Sequence, residues 1–434
     1  MNTASRGGRA HGFSLIELMV AMVLGLLVAA GIITVFLSTS SSNRAQNQLA
    51  QLQEEGRFAI TRLVGDLRMA NGQYCSNTGG TATQGGSGVF MDGLRAPRIY
   101  ATDIENALSD LTTAWGAAPY PAKPAESYYL PAYFSMRGYD CDKSSCAPNV
   151  PASLPAPGKA VGSRVVGTSV LTLRYLDAGA GWSLEGNSIV VPGAGGLVDH
   201  VTVVPAAGEP AIADHYAAPD LLMLADCSNA SVFAASLQGN AFYPQDAGAG
   251  NYSRPKAQQP QSAPRLFNFS RDYKTVTWYL QVVDNGSGGT TGALMRRENG
   301  NAEEVVRGVE RLDFLYGIED GNGNTRYLGA SDVDTRANGD IPCSPSWQAP
   351  LGGDVGCLWR GIKSIEVRLL MDGQQDLASL GMAERNYTYA GDGITTPEAP
   401  GAAGRKVTPA EQGFADTMLR REFSALVSVR NYNP

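Results

Sequence analysis

The chain has 434 residues, enough for two or three average domains or for one large, elaborated domain. Its 34 lysines and arginines against 41 aspartates and glutamates give a net charge of −7, which excludes the basic surface typical of a nucleic-acid-binding protein. The 51 glycines, and Gly-, Ser- or Pro-rich stretches such as 76–88 and 254–264, are typical of long loops between short strands.

The N-terminus is basic and leads into a long apolar run. Arg6 and Arg9 precede residues Leu18 to Leu37, which contain no ionisable group. A helix of this length is about 30 Å long and can cross a membrane, whereas a secretory signal has a shorter core and a small-residue cleavage site. We therefore predict a membrane-spanning helix over 13–37, with the N-terminus in the cytoplasm and the rest of the chain outside it.

One acidic residue, Glu17, opens this run. A carboxylate in hydrocarbon costs at least about 3 kcal/mol unless it is paired, so a functional role is expected. Cleavage between Gly12 and Phe13 would create an α-ammonium group one helical turn from Glu17, on this chain or on a neighbour, and glycine leaves that bond unhindered. The alternative is that Glu17 lies at the headgroup level and only ends the span.

The next segment, 38–72, is predicted to continue the helix. Its apolar residues recur at spacings of three and four, whereas polar residues such as Asp66 fall mostly off this stripe. The stripe consists of Leu49, Leu52, Gly56, Ile60, Leu63, Leu67 and Ala70. The two segments together predict a helix of roughly 55–58 residues, about 85 Å long, whose second half leans on a β-sheet supplied by the rest of the chain.

The six cysteines are Cys75, Cys141, Cys146, Cys227, Cys343 and Cys357. An even number in a membrane-targeted chain indicates disulfides in an oxidising compartment. Because local pairs close most easily, we predict Cys141–Cys146 and Cys343–Cys357, which leaves Cys75 for Cys227. Metal binding is the alternative, but it needs repeated short spacings, and only the CDKSSC stretch comes near one.

Several runs in the second half predict β-strands. KTVTWYLQVVD is rich in β-branched and aromatic residues, and three further runs alternate apolar residues on one face. The alternating residues are Leu312, Phe314 and Tyr316, then Ile365, Val367 and Leu369, then Phe423, Ala425, Val427 and Val429. The predicted fold class is α+β: a long N-terminal helix packed on a mainly antiparallel β-sheet domain over 73–434, with long loops.

The stretch GFSLIELMVAM closely resembles the class III signal of type IV prepilins. The resemblance implies that residues 1–12 are a leader removed by the prepilin peptidase and that Phe13 becomes the N-methylated first residue. It also implies that Glu17 guides assembly by pairing with the N-terminal amine of a neighbouring subunit.

Further stretches resemble the PilW group of minor pilins, over roughly half of the chain. They are QLQEEGRFAITRLVGDLRMANGQYC, TVTWYLQVVDNGSGGTTGALMRRENG, EEVVRGVERLDFLYGIEDGNGN, IKSIEVRLLM and RREFSALVSVRN. Residues 90–220 match less clearly and are a possible insertion. The resemblance implies a pilin-like fold and a role in the assembly, priming or tip formation of a type IV pilus, with adhesion and twitching motility as its context.

The partners implied are other minor pilins, pilus tip proteins, the prepilin peptidase and inner-membrane lipid, and the destination is the pilus on the cell surface. Two alternatives remain. A J-type pseudopilin of type II secretion would be encoded among secretion genes, and a tip adhesin would bind a surface ligand through its domain outside the membrane.

Patterns that indicate catalysis are few. Of the three histidines, His11 leaves with the leader, and His200 and His215 each follow an aspartate in what reads as a loop. The chain has none of the common nucleophile, zinc-protease, P-loop or dinucleotide-binding patterns. We predict neither an enzyme nor a cofactor.

One turn has the alternating oxygens of a calcium-binding loop, at Asp320, Asn322 and Asn324. Thr325 and Ser331 stand where such a loop has its glycine and its bidentate glutamate. A hairpin turn is therefore the simpler interpretation, and calcium is the alternative.

Overall fold

The fold follows from a computed structural model of the chain. It describes residues 14–72, 74, 83–85, 88–90, 96–112, 115, 116, 120–226, 229–257, 263–286, 288–320, 322–335, 341, 356–376, 389, 407–415 and 417–429. The leader, Phe13, Cys75, Cys227 and Cys343 lie outside the described residues. The described residues form one long N-terminal helix and mainly antiparallel sheets, so the predicted α+β fold is confirmed.

Helix α1 extends without interruption from Leu15 to Met69, 55 residues in all. At 1.5 Å per residue it is about 83 Å long, as predicted. It ends three residues before the predicted limit, because Ala70 already leaves the helical conformation. The other helices of the described residues are short: α2 Ala132–Ser135, α3 Ile212–His215, α4 Phe269–Asp272, α5 Ala330–Thr335, α6 Pro409–Gln412, and 3₁₀ turns at Ile104–Ala107, Ala194–Gly196 and Cys357–Gly361.

The strands become longer toward the C-terminus. Those of the first half are β1 Thr83–Gly85, β2 Gly88–Phe90, β3 Arg98–Ile99, β4 Tyr128–Tyr129, β5 Met136–Cys141, β6 Cys146–Ala147, β7 Pro157–Gly158, β8 Arg164–Val165, β9 Val170–Leu176, β10 Trp182–Ser183, β11 Ile189–Pro192 and β12 Val198–Thr202. Those of the second half are β13 Leu221–Ala225, β14 Ala230–Gln238, β15 Ala241–Pro244, β16 Arg265–Asn268, β17 Tyr273–Asp284, β18 Thr290–Glu298, β19 Asn301–Arg307, β20 Val309–Glu319, β21 Thr325–Leu328, β22 Ile362–Asp376 and β23 Met418–Ser428.

Three sheets build the body of the molecule. The C-terminal sheet has the order β21-β20-β22-β23, and the central sheet has the order β19-β18-β17-β9-β5-β6, with β8 joining β17 and β7 pairing with β8. The third sheet has the order β10-β16-β13-β14-β15-β12-β11, with β3 and β4 attached at β14. One large hydrophobic core draws residues from α1 and from all three sheets, and a second core lies on the other side of the third sheet.

The described residues between 90 and 220 are part of this folded body. Strand β9 pairs with β17 from Leu176↔Tyr273 to Leu171↔Trp278, and β5 pairs with the other edge of β9. The segment therefore supplies inner strands of the central sheet. That it is an insertion relative to the pilin family stays a prediction.

The predicted strands form, with one correction. The KTVTWYLQVVD run lies in β17, and the predicted inward residues Ile365, Val367 and Leu369 of β22 are buried. Strand β20 was predicted to be half-buried, but it is buried on both faces. The reason is that its second face carries Arg311 and Asp313, charged residues that alternation reads as solvent-facing but that are buried. Glu310, which by alternation shares the face of Leu312, is buried as well.

The second half of α1 packs on β22 and β23 of the C-terminal sheet. Its buried residues are Gln48, Leu52, Gly56, Ala59, Leu63, Asp66 and Leu67. The predicted stripe was thus wrong at Leu49 and Ile60, which are only half-buried, and in leaving out Asp66. Helix and sheet approach each other closely at Gly56, where a Cβ atom would overlap the ring of Phe423 in β23.

This contact predicts opposite effects for two glycines of α1. Gly56→Ala should lower the free energy of unfolding by about 1–3 kcal/mol, because the Phe423 ring must move out of a packed interface. Gly65→Ala is the matched control: nothing lies within 4 Å of its added Cβ, so better helix propensity should raise stability by about 0.5–1 kcal/mol. Chemical denaturation of the full chain in detergent micelles measures both, and equal effects would contradict the predicted contact.

Candidate functional site

The N-terminus of α1 is closed by a reciprocal pair of hydrogen bonds. The backbone N–H of Ser14 donates to Oε2 of Glu17 over 3.0 Å, and the backbone N–H of Glu17 donates to Oγ of Ser14 over 3.2 Å. This is a capping box, which satisfies two of the amide groups that a helix start leaves unpaired. The Ser-x-x-Glu spacing could have shown it in the sequence, but sequence reasoning missed it.

The two carboxylate oxygens of Glu17 have different hydrogen-bond partners. Oε2 also accepts the Ser14 hydroxyl over 3.1 Å, whereas Oε1 accepts no hydrogen bond from the described residues. Glu17 can therefore cap its own helix and still offer an oxygen to another cation. Gly12 and Phe13 lie outside the described residues, so cleavage between them, and the pairing of Glu17 with an amine, stay predictions.

The first half of α1 has no partner within the described chain. Its large apolar side chains are exposed all round the helix, from Leu15 at 78% and Leu26 at 71% to Phe36 at 69%. The helix is long and apolar enough to cross a membrane. A continuous apolar surface of this size is far larger than water-soluble monomers expose, so lipid or other helices must cover it.

A buried ion pair joins the end of α1 to the central sheet. Nε of Arg296, in β18, donates to Oδ2 of Asp66 over 2.7 Å, and Nη1 donates to Glu298 over 2.6 Å. The Tyr175 hydroxyl donates to the other oxygen of Asp66 over 3.1 Å. Burial lowers the pKa of Arg296, but the hydrogen bonds and charges of Asp66 and Glu298 outweigh it and raise the pKa overall, so the guanidinium stays charged.

Sequence reasoning placed Asp66 on the polar side of the helix, although its spacing could have shown otherwise. Asp66 comes three residues after Leu63 and four before Ala70, both on the apolar stripe. Arg296 lies within the MRRE stretch that carries part of the family resemblance. The pair therefore assigns a structural role to one residue of that stretch.

Breaking this pair should be costly. Asp66→Ala leaves the Arg296 charge buried with less compensation, so we expect a loss of about 3–5 kcal/mol in the free energy of unfolding. The control is Arg62→Ala, because the pair of Arg62 with Glu303 is about half exposed on both sides and should contribute at most about 1 kcal/mol. Denaturation of the full-length variants separates the two, and similar small losses would show that Asp66 does not hold the helix.

A groove of about 520 Å³ lies beside the same half of α1, against β19. Its lining combines the half-exposed ring of Phe58 with Val305 and Val306, and Glu54 and Glu304 are among its acidic residues. The second half of α1 thus also exposes some apolar surface, although much less than the first half.

The core of the C-terminal sheet contains two carboxylates and one arginine. Arg420 donates to both oxygens of Glu310, over 2.7 and 2.9 Å, and all three side chains of the group are buried. Asp372 accepts from the Thr291 hydroxyl over 2.9 Å and lies beside Glu310. Burial and the negative charge of Asp372 raise the pKa of Glu310 to about 7, because a single guanidinium cannot compensate two carboxylates.

This raised pKa predicts how stability depends on pH. Between an unfolded pKa of 4.5 and a folded pKa of about 7, the folded state holds a proton that the unfolded state has released. The contribution of Glu310 to the free energy of unfolding is therefore fully present below pH 4.5. It falls by up to about 3 kcal/mol as the pH rises to about 7. Unfolding midpoints of the wild type should fall over this range.

Glu310→Gln mimics the protonated form, so its midpoints should fall less over the same pH range. The exposed residue Glu303 supplies the control, and Glu303→Gln should leave the wild-type slope unchanged. A wild-type slope in Glu310→Gln would show that the carboxyl pair does not share a proton.

The predicted Cys141–Cys146 disulfide is present, between β5 and β6. Cys357 is also disulfide-bonded, and its partner lies outside the described residues. The pairing of Cys343 with Cys357, and of Cys75 with Cys227, stays a prediction.

The Asp320 turn joins β20 to β21 as a hairpin. Oδ1 of Asp320 accepts the backbone N–H groups of Asn322 and Asn324 over 2.9 and 3.0 Å, and these bonds lower the pKa of Asp320. The predicted hairpin turn is confirmed. Calcium is not needed to explain the turn, and among the described residues no group of three His, Cys, Asp or Glu side chains is placed to hold a metal ion.

The two histidines lie apart from each other in different contacts. Nδ1 of His200 lies 2.8 Å from the adjacent Asp199, whereas Nε2 of His215 lies 2.9 Å from Asp272, whose pKa burial raises. Thus His215 pairs with a residue remote in sequence instead of with its neighbouring aspartate. Neither arrangement includes a nucleophilic side chain among the described contacts.

Two protein-family models match parts of the chain. The model of the family described as Type IV Pilus-assembly protein W (PilW) matches residues 279–431, and that of the prokaryotic N-terminal methylation motif matches residues 8–33. The first match covers β18 to β23 and so includes Arg296, Glu310 and Arg420; the second includes Gly12, Phe13 and Glu17. The resemblance to PilW proteins and to the class III prepilin signal is confirmed. Neither the curated proteins nor the solved structures give a match.

Proposed function

Because the chain carries both a prepilin signal and a PilW segment, it is related to type IV pilus proteins, and we propose that it is a minor pilin that primes the filament or forms its tip. The observation that carries this proposal is the unequal covering of α1. Its second half packs on the protein's own sheets, while its first half is apolar and exposed all round. Such a helix suits a subunit that is stored in a membrane and then packed among the helices of other subunits.

The proposed sequence of events starts at the inner membrane. The prepilin peptidase cuts between Gly12 and Phe13, the new amine is methylated, and the body of the protein stays on the periplasmic side. The subunit then leaves the bilayer for a growing pilus, where other minor pilins and tip proteins are its partners. Enzymatic activity has no part in this role.

Glu17 has the chemistry that docking requires. Its free Oε1 can receive the α-ammonium group of a neighbouring subunit while Oε2 continues to cap the helix. In a low-dielectric layer the attraction between these charges is much stronger than in water, so it favours the correct axial position of the incoming subunit.

The capping box allows charge and capping to be separated. In a capping box, glutamine can replace glutamate at N3, the third residue of the helix. Glu17→Gln therefore keeps the cap and removes the charge, whereas Glu17→Ala removes both. We expect correct cleavage to Phe13 in both variants, because the peptidase reads the Gly12–Phe13 junction, and at least a tenfold loss of surface filaments in both. Ser14→Ala weakens the cap only and should still assemble.

Intact-mass analysis reports cleavage, and filament counts with co-purification of other minor pilins report assembly. Wild-type filament numbers in Glu17→Gln would show that capping is the whole role of this residue. Deletion of the protein that leaves normal filament numbers but abolishes attachment would replace the assembly role by that of a tip adhesin.

A further inference from the structure

The Cys141–Cys146 disulfide closes the hairpin of β5 and β6, in which the two cysteines are directly opposed. Cys141 is buried and Cys146 is half-buried, so a reagent from solvent reaches Cys146 first. The turn between them does not depend on the disulfide. Oδ1 of Asp142 accepts the N–H groups of Ser144 and Ser145, each over 2.7 Å.

A buried guanidinium contacts both sulfurs. Nη1 of Arg164, in β8, donates to Sγ of Cys141 over 3.3 Å, and Nη2 donates to Sγ of Cys146 over 3.3 Å. Among the residues that the structure describes, Nε has no hydrogen-bond partner and Arg164 forms no ion pair. Burial lowers the pKa of Arg164, which means that its charge is poorly compensated in the oxidised protein.

Other buried arginines are compensated differently. Arg137 pairs with Asp334 over 2.8 Å, Arg420 with Glu310, and Arg174 donates to the carbonyl oxygens of Phe134 and Ser109. Neutral disulfide sulfurs are weak acceptors by comparison. A negative charge on either sulfur would supply the missing partner of Arg164.

We propose that Cys141–Cys146 is a thiol–disulfide exchange site whose reduced form is stabilised by Arg164, and that its co-reactant is a dithiol protein or a small thiol. This inference does not depend on the proposed role in pilus assembly. It assigns to Arg164 the function of favouring a thiolate at the buried sulfur.

The exchange proceeds in two steps. The attacking thiolate bonds to Sγ of Cys146, the Cys141–Cys146 bond breaks, and its electron pair stays on Sγ of Cys141 beside Nη1 of Arg164. The second thiol of the attacking dithiol, or a second molecule of a small monothiol, then loses its proton and attacks the sulfur that is bonded to Cys146, which releases Cys146 as a thiolate. Of the two protons released by the reductant, Cys146 takes up one and the other passes to solvent. The dithiol, or the pair of monothiols, loses two electrons and becomes a disulfide.

Arg164 should act on both the equilibrium and the rate. A neighbouring arginine lowers the pKa of a thiol, and a thiol of lower pKa is a better leaving group. A shift of one pKa unit corresponds to a tenfold change in the reduction equilibrium constant, or about 30 mV for this two-electron couple.

The equilibrium test uses the purified full chain in detergent micelles, incubated in buffers of reduced and oxidised dithiothreitol. Alkylation after acid quenching, located by peptide mass spectrometry, gives the reduced fraction of the 141/146 pair. Arg164→Met should lower the reduction equilibrium constant about tenfold, with Arg164→Lys in between. The control Lys143→Met removes an exposed cation from the same hairpin and should change nothing. A change below twofold in folded Arg164→Met would overturn the proposal.

A second measurement needs no variant and remains decisive if Arg164→Met does not fold. Under native conditions, wild-type protein is treated with excess reduced glutathione, quenched in acid and mapped. A glutathione adduct on Cys146, with Cys141 open to alkylation, supports the proposal. An adduct on Cys141, or no reaction until the protein is unfolded, overturns it.

Discussion

The structure depends on one rigid helix whose two halves need different surroundings. Because α1 is continuous from Leu15 to Met69, whatever holds one half also fixes the position and rotation of the other. The sheets cover the second half with a packed interface, and the first half is left entirely to its environment. The sheets therefore have a fixed position relative to the first half of the helix, and so relative to whatever covers that half.

Apolar packing and charge make different contributions to that attachment. The contact of Gly56 with Phe423 brings helix and sheet close together, but apolar side chains tolerate small shifts along the helix axis. The pair of Asp66 with Arg296 has one good geometry, so a shift by one turn would leave the buried carboxylate of Asp66 without its cation and Arg296 with Glu298 as its remaining close partner. We infer that the ion pair sets the axial register of the helix on the sheet, while the apolar contacts provide most of the adhesion.

Local patterns in the sequence predicted the helix, the strands of the C-terminal sheet and the Cys141–Cys146 pair. Each of these features has a characteristic spacing: a 3.6-residue period for the helix, a two-residue period for the strands and a short loop for the cysteine pair. The misses involve charged residues that bury. Asp66, Glu310 and Arg164 are polar in sequence, and they bury against partners 230, 110 and 23 residues away. The helical spacing of Asp66 places it on the buried stripe, but no local period indicates which distant residues are the partners. For the same reason, the alternating pattern predicted a half-buried β20, although both faces of this strand are covered.

We propose that the two halves of α1 have different partners in the cell: other pilin helices for the first half and the protein's own sheets for the second. The most direct test is a photoreactive residue placed at Leu24 or at Leu63 in cells that assemble pili. We expect adducts with other pilin subunits from Leu24, which is exposed, and only intramolecular adducts from Leu63, which is buried. Adducts of Leu24 with lipid alone, or equal intermolecular adducts from Leu63, would contradict it.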